Sequence, residues 1–175
     1  MRAVIDTNVW VSAVLNPHGA PAQVFEAFRQ ARFLAIQSQP LMDELREVIA
    51  RPRLMRRLAY NMQMIQELIE LISARAIWVE VRGEVSVCRN PHDNMVLETA
   101  LLGKAEYLVT RDDDLKRDPD LIQKMAEQGV QEIMRFKWRA KRRATSSSGA
   151  LPCSYGSVSS PTFFMDFWET IASIR

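Results

Sequence analysis

The sequence has few residues of the kinds that build disulfide-bonded or zinc-bound frameworks. It contains two cysteines, Cys88 and Cys153, and two histidines among 175 residues. A disulfide scaffold and a cysteine-based zinc site are therefore not indicated. No apolar run approaches the roughly 20 residues that span a bilayer, and the N-terminus enters a strand pattern without a secretory leader. We therefore expect a cytoplasmic protein that does not associate with membranes.

Two further absences narrow the chemistry. The stretch "DTNVWVS" after the first strand has no glycine, which argues against a dinucleotide-binding turn. No Ser/His or Cys/His pairing suggests a side-chain nucleophile. His18 lies in the loop "NPHGAP", and we interpret His92, which is next to Asp93, as a surface residue or a residue that supports the site rather than as a catalyst. The sequence therefore indicates neither a dinucleotide-binding domain nor a side-chain nucleophile.

Charge is distributed unevenly along the chain. Residues 135–175 carry a net charge of +5 and the preceding 134 residues carry −3, although the whole chain is only +2. An acidic body with a basic segment suits an oxygen-ligand metal site beside a segment that meets phosphates. A solvated basic tail would give the same distribution.

Strand and helix patterns alternate through most of the chain. Strands are predicted at 4–5, 33–37, 76–81, 106–115 (running into an acidic turn) and 130–136, and helices at 9–15, 22–29, 38–54, 61–74, 90–105 and 118–129. Such alternation predicts a parallel sheet covered on both faces, hence an α/β fold. Functional sites in these sheets lie outside the carboxyl ends of the strands.

Four acidic residues are predicted to lie near the carboxyl ends of the strands, which we call the carboxyl edge of the sheet. Asp6 and Asp112 follow strands directly, whereas Glu44 and Asp93 lie on the core-facing sides of their helices. Clustered carboxylates need a compensating positive charge, and the neighbouring motifs offer no suitable set of basic side chains. Oxygen donors without His or Cys favour Mg²⁺ or Mn²⁺.

Each acid also has a simpler explanation. Asp6 alone would be a helix cap, Asp93 a first-turn acid favoured by the helix dipole, and residues 112–114 a solvated acidic turn. If Asp6 instead binds metal, we expect Thr7 to cap the first helix.

The ordered motifs "VIDTNVWVSA", "LMDELREVIARPRL", "NPHDNMVLETAL" and "YLVTRDDDL" resemble those of the PIN-domain ribonucleases. Among these, the chain is most similar to the toxin components of bacterial toxin–antitoxin pairs. The resemblance covers roughly residues 1–136 and implies a PIN-like three-layer α/β/α domain with a central, mainly parallel sheet.

The resemblance also implies a catalytic, metal-binding quartet of Asp6, Glu44, Asp93 and Asp112. Asp114 would be a fifth metal-binding acid, and the polar residues Asn8 and Thr110 would support the site. The implied activity is metal-dependent hydrolysis of RNA by water, with a protein antitoxin and a second copy of the chain as partners. An RNA-processing nuclease without a toxin role and a non-catalytic module that binds RNA or protein are the alternatives.

The chain departs from the family pattern in two places. Arg111 stands where the family often has glycine, so its side chain could contact RNA phosphate or pair with Asp113 or Asp114. The C-terminus is longer than usual: 137–160 is predicted to be a basic and then Ser/Gly-rich linker or insertion, and 161–175 an apolar arm or helix.

Overall fold

The fold was analysed in a computed structural model of the chain. The structure describes residues 1–86, 88, 91–111, 119–127, 129–130 and 132–135, all within one unit, Met1–Lys137. The predicted linker over 137–160 and arm over 161–175 lie outside the described residues and stay predictions. None of the described helices is long and apolar enough to cross a membrane.

Strands and helices alternate as the sequence predicts. The strands are β1 (Arg2–Ile5), β2 (Leu34–Ser38), β3 (Ile77–Val79), β4 (Tyr107–Thr110) and β5 (Glu132–Arg135). The described helices are α1 (Thr7–Leu15), α2 (Ala20–Arg29), α3 (Gln39–Ala50), α4 (Pro52–Leu58), α5 (Met62–Arg75), α6 (Pro91–Leu102) and α7 (Pro119–Glu127), with a 3₁₀ turn at Ala59–Asn61. The helix predicted over 38–54 is divided at Pro52, because proline cannot donate the next helical hydrogen bond.

The five strands form one sheet in the order β3-β2-β1-β4-β5, and all four pairings are parallel. Successive connections run from β1 towards β3 and then from β4 towards β5. Because parallel crossovers are right-handed, α1–α5 cover one face and α6 and α7 the other. The predicted α/β/α architecture is confirmed.

Apolar side chains fill both sides of the sheet. On the α6 side, Val4 of β1 and Leu108 of β4 pack in one buried cluster with Val96, Leu97 and Met125. Near α1 and α2, the Trp10 ring packs edge-on against Phe25 and tilted against Phe28. Burial of this apolar surface is the main force that holds the helices on the sheet.

Three helices end in the same backbone motif before the next strand begins. After α2, α6 and α7, a residue with positive φ (Ala31 at 55°, Lys104 at 49°, Gly129 at 94°) allows paired hydrogen bonds back to the last turn. Glycine suits that conformation because it has no Cβ. Gly129 was predicted to end its helix, and this is confirmed.

Gly103 illustrates a different requirement. The sequence predicts that it closes α6, and α6 does end at Leu102, but the left-handed residue is Lys104. A Cβ on Gly103 would overlap Ile36 Cγ2 and lie 2.8 Å from Ile36 Cδ1. Glycine therefore lets the end of α6 approach β2.

Candidate active site

Asp6 joins β1, α1 and β4 through one carboxylate. It directly follows β1 and is 7% exposed. Its Oδ1 accepts a hydrogen bond from the Asn8 backbone N–H at 3.3 Å, which caps α1. Its Oδ2 accepts from the Thr110 hydroxyl at 2.6 Å, and its backbone N–H donates to the Val109 carbonyl at 2.9 Å. Capping therefore uses only part of this carboxylate's hydrogen-bonding capacity.

The Asp6–Thr110 contact lies where the strand order reverses. The connection from β1 leads to β2 on one side, whereas the connection from β4 leads to β5 on the other. The carboxyl ends of β1 and β4 therefore flank a topological switch point, which is where open α/β sheets bind ligands. Thr110 is fully buried, so its hydroxyl fixes the Asp6 carboxylate at this crevice.

Thr7, the residue that follows Asp6, is hydrogen-bonded to Glu44 of α3. The Thr7 hydroxyl, on a residue only 3% exposed, donates to Glu44 Oε2 at 3.0 Å. Glu44 is half-buried on α3, as its position at the edge of the apolar stripe predicts. The expectation that Thr7 caps α1 is wrong, because Asp6 is the N-cap and Thr7 is the first helical residue. Thr7 instead donates its hydroxyl hydrogen bond to Glu44 of α3, 37 residues away.

Asp93 lies in the first turn of α6 and is half-buried. Val96, Leu97 and Ala100 of the same helix are buried, as the predicted stripe requires. The preceding loop is held by Asn94, whose Oδ1 accepts from the Cys88 N–H at 2.7 Å and whose Nδ2 donates to the Cys88 carbonyl at 3.1 Å. These two hydrogen bonds fix the chain where it enters α6.

Asp112 and Asp114 lie outside the described residues, as does Asp113. Arg111 is exposed after β4, and its guanidinium donates to the Ser12 hydroxyl, which donates in turn to the Asn8 carbonyl at 2.6 Å. Asn8 is exposed beside this contact. The supporting roles predicted for Asn8 and Thr110, and RNA contact by Arg111, stay predictions.

Three polar contacts near α6 were missed by sequence reasoning. Ser38 does not cap α3 through its side chain; its hydroxyl pairs with that of Thr99 at 2.8 Å, and both residues are fully buried. Glu98, 3% exposed, accepts the backbone N–H groups of Arg82 at 2.8 Å and of Gly83 at 3.0 Å. The only sequence signal for these buried contacts was the presence of the polar residues Glu98 and Thr99 within an otherwise apolar helical stretch.

The donor types suit a hard cation. Asp6, Glu44 and Asp93 offer carboxylate oxygens, the ligands that Mg²⁺ and Mn²⁺ prefer. Within the described part of the chain, no three His, Cys, Asp or Glu side chains are grouped closely enough to hold a metal. The structure links Glu44 to Thr7, the residue that follows Asp6, and the metal-binding quartet stays a prediction.

A cleft of about 420 Å³ lies elsewhere, between α2, α5 and the loop before α2. Its lining includes His18, Glu26, Arg29, Met64 and Glu67. None of the predicted site residues lines it, and Arg29 forms ion pairs with Glu26 at 2.8 Å and Glu67 at 3.6 Å. This cleft is not part of the candidate active site.

Comparison with known proteins places these residues in a family context. Residues 2–114 match the family model described as "PIN domain". The uncharacterized protein MJ1680 of Methanocaldococcus jannaschii is 28% identical over 115 residues, which cover 66% of this chain and 73% of that protein. A chain from the crystal structure of VapBC2 from Rickettsia felis bound to a DNA fragment from their promoter aligns with 78% of this chain and 100% of its own length, at 17% identity and a TM-score of 0.48.

Proposed function

The chain belongs to the PIN domain family, and from this premise we propose that it is a metal-dependent ribonuclease. Membership of the family supports a nuclease, and hence a hydrolase, as the general activity. The observation that supports the finer proposal is the Asp6–Thr110 contact at the switch point, together with the hydrogen bond from Thr7, the residue after Asp6, to Glu44.

In this proposal, Asp6, Glu44, Asp93 and Asp112 would hold Mg²⁺ or Mn²⁺, with Asp114 as a fifth acid. The bound cation would lower the pKa of water and neutralise charge on the phosphate. The chain's own contribution is positioning: Thr110 and Thr7 each donate a hydrogen bond to an acid and fix its orientation. Such supporting contacts tune metal affinity and activity in metalloenzymes.

The test is cleavage of labelled RNA by the full chain with Mn²⁺ and with EDTA. Asp6→Asn and Glu44→Gln are expected to lose at least about 100-fold in rate, because each removes a charged oxygen donor. Asp43→Asn is the matched control, since Asp43 neighbours Glu44 on α3 but is exposed and pairs with Arg46 at 3.6 Å. Equal cleavage by the wild type and Asp6→Asn would contradict the proposal.

We further propose that the chain is the toxin of a type II toxin–antitoxin pair, acting as a homodimer bound by a protein antitoxin. This rests on the resemblance of the four acidic motifs to that group. Expression should arrest growth, and Asp6→Asn should relieve the arrest. Cleavage without growth arrest would instead indicate an RNA-processing nuclease, and RNA binding without cleavage a non-catalytic module.

A further inference from the structure

A basic surface lies on the segment that follows α3. Between Glu47 and Glu67 the sequence contains four arginines and no acid. Arg51 reaches back to Glu47 at 3.8 Å. Within the described part of the chain, no carboxylate lies within ion-pair distance of the other three, Arg53, Arg56 and Arg57. These three, together with Tyr60, are called the basic corner below.

The three arginines share one face of α4. At about 100° per residue, they fall within about 100° of arc, and all three are exposed. The opposite side carries Leu58, which is fully buried. Arginines spaced three and four residues apart repel each other, so this arrangement costs stability unless an anion lies between them.

The helix dipole accounts for only part of this pattern. Arg56 and Arg57 lie in the last turn of α4, where positive charge is favourable. Arg53 lies in the first turn, where the dipole disfavours a cation. The third arginine therefore has no stabilising explanation within the helix, whereas a polyanion along this face would contact all three.

Tyr60 adds an aromatic surface to the same corner. It is 96% exposed, the highest value among the exposed large apolar and aromatic side chains of the described residues. Its neighbour Asn61 donates from Nδ2 to the Val14 carbonyl of α1 at 2.7 Å, which anchors the turn and holds Tyr60 outward. Arginines beside an exposed aromatic ring are typical of single-stranded nucleic-acid binding, because every base can stack on the ring.

The basic corner is connected to the candidate active site through two helices. α4 packs against both α1 and α3, and Glu44 lies six residues, about 9 Å along the axis, before the end of α3. An acidic site repels RNA unless nearby cationic groups hold the strand. We propose that the basic corner binds single-stranded RNA, with the arginines on phosphates and Tyr60 stacked on a base. That this RNA is the substrate rests on the proposed function.

The test measures binding of a fluorescently labelled single-stranded RNA of about 20 nucleotides to the full chain in EDTA, which prevents metal-dependent cleavage. Arg56→Gln/Arg57→Gln should weaken binding about tenfold or more at 0.1 M salt. The slope of log K against log salt should fall by about 1.4, since each phosphate contact contributes about 0.7 for single strands.

Arg32→Gln/Arg75→Gln is the matched control, because it removes the same charge from two exposed arginines outside α4. Its affinity should stay within about twofold of the wild type. Tyr60→Ala should weaken binding about fivefold or more, and Tyr60→Phe should restore it, since a phenyl ring still stacks. The Arg56→Gln/Arg57→Gln variant should unfold within a few degrees of the wild type, because the loss of a favourable interaction with the helix dipole opposes the relief of like-charge repulsion.

Equal losses in both arginine pairs would overturn the proposal by showing a general charge effect. Unchanged RNA affinity of the basic-corner variants would also overturn it. If these variants bind RNA normally and lose only the complex with an antitoxin, the surface binds a protein partner instead. The proposed function fails separately. If the basic-corner variants lose RNA binding but the wild type shows no Mn²⁺-dependent cleavage, only the proposed nuclease activity is overturned. If cleavage requires Asp6 and Glu44 but the basic-corner variants bind RNA normally, only the proposal for the basic corner is overturned.

Discussion

The two edges of the sheet are held together by different groups. At the carboxyl edge, side chains from distant segments bond to each other, as in the pairs Asp6–Thr110, Thr7–Glu44 and Ser38–Thr99. At the amino edge, backbone groups close the ends of α2, α6 and α7 before the next strand starts, and a side chain takes part at Glu106, whose Oε1 accepts from the Arg2 backbone N–H at 3.2 Å. Side-chain contacts fix the positions of chemical groups, whereas backbone closures fix the path of the chain. We therefore expect changes at the carboxyl edge to alter activity, with or without a loss of stability, and changes at the amino edge to alter stability alone.

Among the changes that test this comparison, the largest effect is expected at Thr110. Thr110→Val keeps the shape but removes the hydroxyl that donates to Asp6 at 2.6 Å. Under the proposed function, activity should fall about 10- to 100-fold, the loss typical of groups that orient metal-binding side chains. The buried carboxylate also loses a donor, which should lower the free energy of unfolding by about 1–3 kcal/mol. Steady-state cleavage and denaturant unfolding measure the two effects.

Thr110→Ser is the control for this prediction because it retains the hydroxyl. It should recover most of the activity lost in Thr110→Val. If both variants cleave RNA at the wild-type rate, the hydroxyl does not position Asp6 for catalysis, and the carboxyl edge has no special role in activity.

Gly103→Ala tests the amino edge. The added Cβ would overlap Ile36 Cγ2, so the end of α6 must move away from β2. We expect the free energy of unfolding to fall by about 1–3 kcal/mol, as in other overpacked cores, with cleavage per folded molecule unchanged. A variant with wild-type stability would show that Ile36 moves aside without cost, and a catalytic defect at full stability would contradict the division between the edges.

The same residues show what the sequence could predict. The order of strands and helices followed from the spacing of apolar residues, and so did the positions of Asp6 at a strand end and of Glu44 at the edge of a buried helix face. The spacing of apolar residues along the chain predicts which face of a helix or strand a residue occupies, but not which residue it contacts. The partner of Ser38 is Thr99, 61 residues away, and the partner of Thr7 is Glu44, 37 residues away. Those pairings form only in the completed sheet, whereas local propensity at Thr7 favoured capping.

Gly103 and Lys104 make the same point for the backbone. Glycine near a helix end predicts the left-handed residue, yet Lys104 adopts that conformation, and Gly103 is required by the approach of Ile36. Local preference alone would have assigned the two residues in the opposite way. The difference arises from packing between α6 and β2, which no local pattern contains.

Lys104→Gly should therefore stabilise the protein. With φ at 49°, the lysine pays a steric cost that glycine avoids, although glycine also makes the unfolded chain more flexible. We expect a gain of about 0.5–1 kcal/mol in the free energy of unfolding and no change in cleavage. Ala31→Gly, at a φ of 55°, should behave alike. Lys104→Ala is the control and should be nearly neutral, since alanine keeps the Cβ.

The smallest effect is expected at an ion pair on α2, which belongs to neither edge. Hydrogen bonds from the Arg29 and Gln30 side chains lower the pKa of Glu26 below its ordinary 4.5, against a smaller opposing effect of burial. A carboxylate whose pKa is lower in the folded state stabilises the fold above its unfolded pKa and loses this contribution as pH falls through the folded pKa. Because the Glu26 side chain is 44% exposed, solvent and salt screen most of the interaction.

Glu26→Gln should lower the unfolding temperature slightly at pH 7 and not at all once the pH is well below 4.5. Glu70→Gln, which removes an exposed acid on α5, should show no such pH-dependent difference, and an equal shift in both variants would assign the effect to net charge rather than to the Glu26–Arg29 pair.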